Sequence, residues 1–401
     1  MNRTLQMRMF LWMVLPVLLL TGGALTEGGE RVRHPVAAGM FYTNVPAKLQ
    51  SDVDEYLAKG ADKAASDPQA IAIVAPHAGY RFSGLCAGHA YAAVRGRTFK
   101  RVIVLAVNHR GKTFRGASIL DVDAYRSPLG NVPLDRRACD LLRTSPLFCI
   151  RPDADAKEHS LEVQLPFLQR AIGTFELVPI TVGYLRESDY PALAAALREV
   201  MDDETLVVAS TDFTHYGEDF GYAPFRDHLR ENIEKLDKGA VEHILKLDGK
   251  GFRDYVQRTG ATICGRYPLG VLLALLPERA QGKLVSYYCS GDESQSYEHS
   301  VSYCGIVFRA GDRWKGAARP PRPKAALRPG DISEGGQQRL LEIARKTLVA
   351  VAHARGVPHF EATDSELQGK QGAFVTLQKF GDLRGCIGNF KPTTPLFQTV
   401  A

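Results

Sequence analysis

Four short runs, AIAIVAP (70–76), RVIVLAV (101–107), FELVPITVG (175–183) and TLVVAST (205–211), are apolar at nearly every position. A strand with one wet face alternates apolar and polar residues, whereas a strand buried on both faces need not. Unbroken runs of this length therefore predict central strands of a sheet covered on both sides. Stretches with helical amphipathic spacing stand between them, EHSLEVQLPFLQRAI (158–172) and YPALAAALREVM (190–201). KLVSYYCS (283–290) and SVSYCGIVF (300–308) read as a closing strand pair. Strands and helices in alternation give an α/β sheet with helices on both faces.

The chain has 401 residues, of which 45% are hydrophobic, enough for two units. Residues 31–310 carry the α/β pattern. Residues 311–335 are rich in proline, glycine and basic side chains without apolar period, and read as a linker. From 336 to 401 a helix, QQRLLEIARKTLVAVAHARG, precedes GAFVTLQKFGDLRGCIGNF, a hairpin whose turn is placed at Phe380–Asp382. Too little sequence follows for a complete independent core. The net charge of +6 comes from lysines and arginines spread along the chain, and no aromatic-plus-basic pattern marks a nucleic-acid surface.

The first 24 residues differ from the rest. Arg3 and Arg8 precede an apolar stretch from Met9 to Leu20, then Gly22 and Ala24. A bilayer span needs roughly 20 apolar residues, so the stretch reads as a signal peptide cleaved after Ala24, with an uncleaved membrane anchor as the alternative. Export to the periplasm is the expectation. Seven cysteines without a CxxC pair do not form a disulfide framework. A functional thiol is easier to keep reduced in the cytoplasm, which stays open as the other location.

The candidate site lies where the apolar runs stop. IVAPH ends on His77, RVIVLAVNH on His109, and LVVASTDFTH delivers Asp212 and His215. In open α/β sheets ligands bind beyond the carboxyl ends of the strands. Two such strands side by side would bring both imidazoles to one rim. TICGRYPLG adds Cys264 ahead of a helix expected to begin near Pro268, a placement that favours the thiolate. Glu158 and His159 read either as site residues or as an ordinary charged helix start.

The motifs APHAGYRFSG, VLAVNH, KEHSLEVQLPFL, STDFTHYG and TICGRYPLG, in this order, resemble the Memo family over residues 33 to about 310. The resemblance implies the fold of the class III extradiol dioxygenases and metal ligands at His77, His109 and Cys264. Asp212 and His215 would line the same pocket as acid–base residues. It implies iron, with copper as the alternative and zinc less suited, and a redox role. The family often carries histidine where this chain has Gln164, and a second histidine where Arg110 follows His109; both departures are assigned to the outer pocket. Cys264 stands where extradiol enzymes have a carboxylate ligand, so ring cleavage is not implied. The tail resembles the start of an α+β AMMECR-type domain, whose LRGCIG run spans Leu383 to Gly388 and reads as a tight turn. Such domains and Memo-like proteins occur with a radical SAM protein in the AmmeMemoRadiSam system, which makes that protein the implied partner. Three functions remain: a non-haem iron redox enzyme, a metal-dependent hydrolase, or a module that binds a peptide or partner without turnover.

Overall fold

A computed structural model describes residues 30–314 and 334–400, the latter without 354–355, 362–363, 371–372, 380–381 and 390–393. The segment read as a signal peptide lies outside the described residues. The chain divides into two units, one ending at Pro320 and one beginning at Pro321.

In the first unit the four apolar runs are strands β1 (Ala70–Ala75), β2 (Arg101–Val107), β3 (Glu176–Val182) and β4 (Thr205–Ser210). They are parallel and lie in the order β1–β4–β2–β3. Every residue of β1 and β4 is buried, which is why these runs need no polar alternation. The closing pair forms β5 (Gln281–Cys289) and β6 (Ser300–Arg309), with β6 antiparallel to β1. The histidine-bearing strands β1 and β2 are thus not neighbours. β4 comes back between them, with Ala75 opposite Ser210 and Leu105 opposite Ala209.

This order also fixes the helix layers. The crossovers from β1 to β2 and from β2 to β3 run one way across the sheet, and the crossover from β3 to β4 runs back. Right-handed connections then put the helices on opposite faces. Pro46–Gly60, Tyr80–Ala92 and Gln164–Ala171 pack together as one layer, and Asp189–Glu199, Gly249–Thr259 and Arg266–Leu275 as the other. In the first layer, a Cβ on Gly88 would lie 2.3 Å from the Tyr56 carbonyl oxygen, so only glycine allows this crossing.

The helix expected over 158–172 begins only at Gln164. Residues 158–159 have no regular structure and 160–163 form turns instead. Gly311–Trp314, the first residues of the segment read as a linker, remain on this unit: Trp314 is buried and its Nε1 donates to the Thr205 carbonyl at 2.9 Å.

The second unit has a helix at Glu334–Ala352, a hairpin of Ala373–Lys379 and Asp382–Asn389, and a helix at Leu396–Val400. Ile343, Leu367, Leu396 and Phe397 form its small core. Phe380 and Gly381 lie outside the described residues, but Lys379 pairs with Asp382. LRGCIG is not a turn: it lies in the second strand, with Gly385 opposite Leu377 and Gly388 opposite Phe374. Among the described residues no helix is long and apolar enough to cross a membrane.

Candidate metal centre

Each strand end contributes a different part of the site. Beyond β1, Pro76 turns the chain and His77 points into the protein, 1% exposed. Beyond β2, His109 lies at the solvent side, with 26% of its side chain exposed. Beyond β4, the backbone passes between them and Asp212 accepts the backbone N–H of His77 at 2.8 Å and of Ala78 at 3.3 Å through Oδ1. The β4 extension thereby holds the His77 backbone in place.

Cys264 reaches this point from the far helix layer. Its helix starts at Arg266, earlier than the expected Pro268, and Gly265 is the N-cap. A Cβ on Gly265 would lie 2.2 Å from Thr211 Cβ, so glycine lets the Cys264 segment close onto the end of β4. Cys264 Sγ lies 3.2 Å from His77 Nε2 and accepts the Asp212 backbone N–H at 3.2 Å. Donor atoms of His77, His109 and Cys264 all lie within 4.8 Å of one another. The rings of His77 and His109 are 5.1 Å apart and nearly perpendicular.

Charge is distributed unevenly over these groups. Burial alone would raise the Cys264 thiol, but the neighbouring His77 and His109 overcome it and bring the pKa down to about 6. Burial would likewise lower His109, yet Cys264 and Glu158 carry it up to about 10. Asp212 moves the other way: burial raises its carboxyl, offset only in part by His215 and the backbone N–H of His77.

Residues 158–164 stitch the strand ends together. Glu158 accepts the His109 backbone N–H at 2.7 Å and faces His109 Nδ1 at 3.0 Å; the backbone N–H groups of His159 and Ser160 also donate to it. Against the cost of burial, these donors bring its pKa down to about 2. Ser160 Oγ accepts the Val107 backbone N–H at 3.0 Å. Glu162 accepts from Arg33, the Val36 and Ala37 backbones and the Tyr42 hydroxyl, which ties the N-terminal strap to the site. Gln164 donates to the Pro76 carbonyl at 3.0 Å and to Ser210 Oγ at 2.8 Å. Gln164 therefore sits behind His77, fully buried, and not in an outer pocket. Arg110 is exposed, as a residue of the outer rim would be.

A second group, His109, Glu158 and His159, also has donor atoms within 4.8 Å of one another. The Glu158 carboxylate there already accepts four N–H contacts, and its Oε1 alone takes three. That oxygen is an orienting partner for His109 Nδ1 and has little left for a cation. His159 stacks on His109 with ring centres 5.1 Å apart and lies tilted against Phe41 at 4.2 Å. Burial and then His77 lower its pKa to about 3, so it is a neutral ring.

Asp212 Oδ2 lies 3.8 Å from His77 Nε2, but Asp212 belongs to neither group of mutually close donor atoms. The same is true of His215, whose Nδ1 faces the Phe213 and Thr262 carbonyls at 3.0 and 3.2 Å. Carbonyls only accept, so Nδ1 carries a proton. Sequence reasoning missed Ser160, Glu162 and Ser210. The available signal was the polar residue at every second position from Glu158 to Gln164, a spacing that does not belong to an amphipathic helix.

The family model of Memo-like proteins matches residues 33–307, and that of AMMECR1 matches 341–401. A MEMO1 family protein of Methanopyrus kandleri is 34% identical over 293 residues, covering 70% of this chain and 99% of that protein. The memo-1 homolog of Caenorhabditis elegans is 32% identical over 299 residues, covering 70% and 83%. MEMO1 of Homo sapiens is 32% identical over 286 residues, covering 68% and 95%. With its sheet, its ordered motifs and these relatives in agreement, the chain belongs to the Memo-like protein family and carries an AMMECR1 region behind that domain.

Proposed function

We propose that this chain is a redox protein that holds one iron ion through His77, His109 and Cys264, with copper as the main competitor. The observation that carries the reading is the convergence of two imidazoles and one activated thiol at the strand ends. Imidazole and thiolate suit iron and copper, whereas a harder ion would call for oxygen donors. His109 is backed by a carboxylate at Nδ1, as ligating histidines commonly are. The residues present therefore fit such an ion.

When bound, the ion would supply electron transfer to or from a substrate. The chain's residues do the rest. Cys264 provides the anionic donor, and the Asp212 N–H fixes its sulfur. His215, with Nδ1 committed to carbonyls, offers Nε2 to take or give a proton, and Asp212 is the neighbouring carboxyl. His159 and Phe41 form an aromatic wall beside His109. The same reading takes residues 1–24 as an export signal and a radical SAM protein as the partner, on the sequence pattern and the family resemblance.

Anaerobic purification followed by metal analysis tests the ion. Iron near one equivalent per chain is expected in the wild type, and a large loss in His77→Ala and Cys264→Ser at unchanged circular dichroism. Undiminished iron in those variants would overturn the assignment. Zinc with turnover of an ester or amide would make the protein a hydrolase. Metal-independent capture of a peptide would make it a binding module.

A further inference from the structure

We infer that Tyr91, Gln164 and Ser210 form an uncharged relay that keeps the proton of His77 on Nδ1 and so reserves Nε2 for the face shared with Cys264. The purpose of the relay rests on the metal reading above; its existence does not.

The argument is a count of donors and acceptors. A serine hydroxyl has one hydrogen and two lone pairs. Ser210 Oγ has three partners: the Ser160 carbonyl at 2.6 Å, Gln164 Nε2 at 2.8 Å and His77 Nδ1 at 2.9 Å. The carbonyl can only accept, so it takes the single hydrogen. The Gln164 amide can only donate from Nε2. The remaining lone pair of Ser210 therefore faces His77, and Nδ1 must bring a proton to it.

The amide orientation of Gln164 is itself forced. Its Nε2 also lies 3.0 Å from the Pro76 carbonyl, and the opposite orientation would set two oxygens against each other. The Tyr91 hydroxyl then completes the set by donating to Gln164 Oε1 at 2.8 Å. Tyr91, Gln164, Ser210 and Ser160 are all buried, with no more than 1% exposed. Reversing any one bond would leave a buried group unpaired.

The relay also accounts for the position of Gln164. A neutral amide at this depth offers two donors and one acceptor, and all are used. Gln164 and Ser210 are thus positioning residues: they act on the site through His77.

Nitrogen-15 NMR of histidine-labelled full-length protein tests the relay, with His77 identified by its absence in His77→Ala. A slowly exchanging Nδ1–H resonance is expected for His77 in metal-free protein, and it should persist when zinc is added as a diamagnetic probe. Ser210→Ala should abolish its slow exchange and weaken zinc binding about 10- to 100-fold. Tyr91→Phe, at the far end, should leave the resonance in place but shift it. A wild-type His77 without a proton on Nδ1 would overturn the relay, as would an unchanged resonance in Ser210→Ala. If zinc does not bind at all, the metal reading fails while the metal-free spectrum still decides the relay.

Discussion

His77 and His109 face one thiol from strands on either side of β4, yet their far nitrogens meet opposite chemistry. Nδ1 of His77 meets a hydroxyl at 2.9 Å within a wholly uncharged chain, whereas Nδ1 of His109 meets an ionised carboxylate at 3.0 Å. The donors available behind each ring explain the difference. A carboxylate behind the fully buried His77 would need its own set of donors to offset desolvation. Beside His109 those donors exist, because the irregular segment at 158–160 aims backbone N–H groups at Glu158. One ligand is positioned by neutral hydrogen bonding, and the other by charge.

The largest expected effect breaks the charged side. Glu158→Gln replaces an acceptor of four N–H contacts by an amide that turns an NH₂ group toward some of them. Loss of about 3–5 kcal/mol in urea unfolding is expected, because buried donors lose a charged partner. A loss below about 1 kcal/mol would show that Glu158 does not hold this corner.

A neighbouring carboxylate sharpens the point. Asp155 is as buried as Glu158 and accepts the Tyr125 hydroxyl at 3.0 Å. Burial, only partly offset by Tyr125 and Arg33, raises its pKa from 3.8 to about 6. Below the ordinary value both folded and unfolded chains are protonated, and Asp155 costs nothing. As the pH rises from there to the folded value, the unfolded chain releases the proton first and stability falls. Above it the loss levels off at about 3 kcal/mol. Asp155→Asn should therefore gain stability over the wild type as the pH rises from 4 to 7, with no added margin below pH 4. Glu158 has the opposite slope: its pKa is lowered from 4.5 to about 2, so its contribution is lost as the pH falls through that interval. Parallel unfolding curves of Asp155→Asn and wild type across this range would refute the shift.

The neutral side should yield less. Ser210→Ala leaves His77 Nδ1–H, a Gln164 N–H and the Ser160 carbonyl without their common partner, and a loss of about 1–3 kcal/mol is expected. Equal losses for Ser210→Ala and Glu158→Gln in denaturant titrations would remove the distinction between the two supports.

What the sequence disclosed follows the same physics. Full burial on both faces leaves uninterrupted apolar runs, so β1 to β4 were legible, and strand ends made His77, His109 and Asp212 stand out. Strand order was not legible, since nothing local in TLVVAST says that β4 inserts between β1 and β2. The segment from Glu158 reads as helix because Leu161, Leu165 and Leu168 keep helical spacing, although its helix begins only at Gln164. Its buried polar residues, at every second position, are fixed by partners far away in the chain, and those partners become visible only in three dimensions.

The two departures from the family pattern supply the smallest effect. The family resemblance groups Gln164 and Arg110 as outer-pocket residues, but the fold separates them. Gln164 is buried and spends every polar atom, so Gln164→Leu should cost about 1–3 kcal/mol, like Ser210→Ala. Arg110 is exposed, and its charge helps to lower His159. A solvent-facing guanidinium of this kind contributes little to folding. Arg110→His should change stability by less than about 0.5 kcal/mol and leave metal content unaltered. Thermal unfolding and metal analysis of the two variants side by side check this. If Arg110→His proved as costly as Gln164→Leu, Arg110 would belong to the frame of the site and not to its rim.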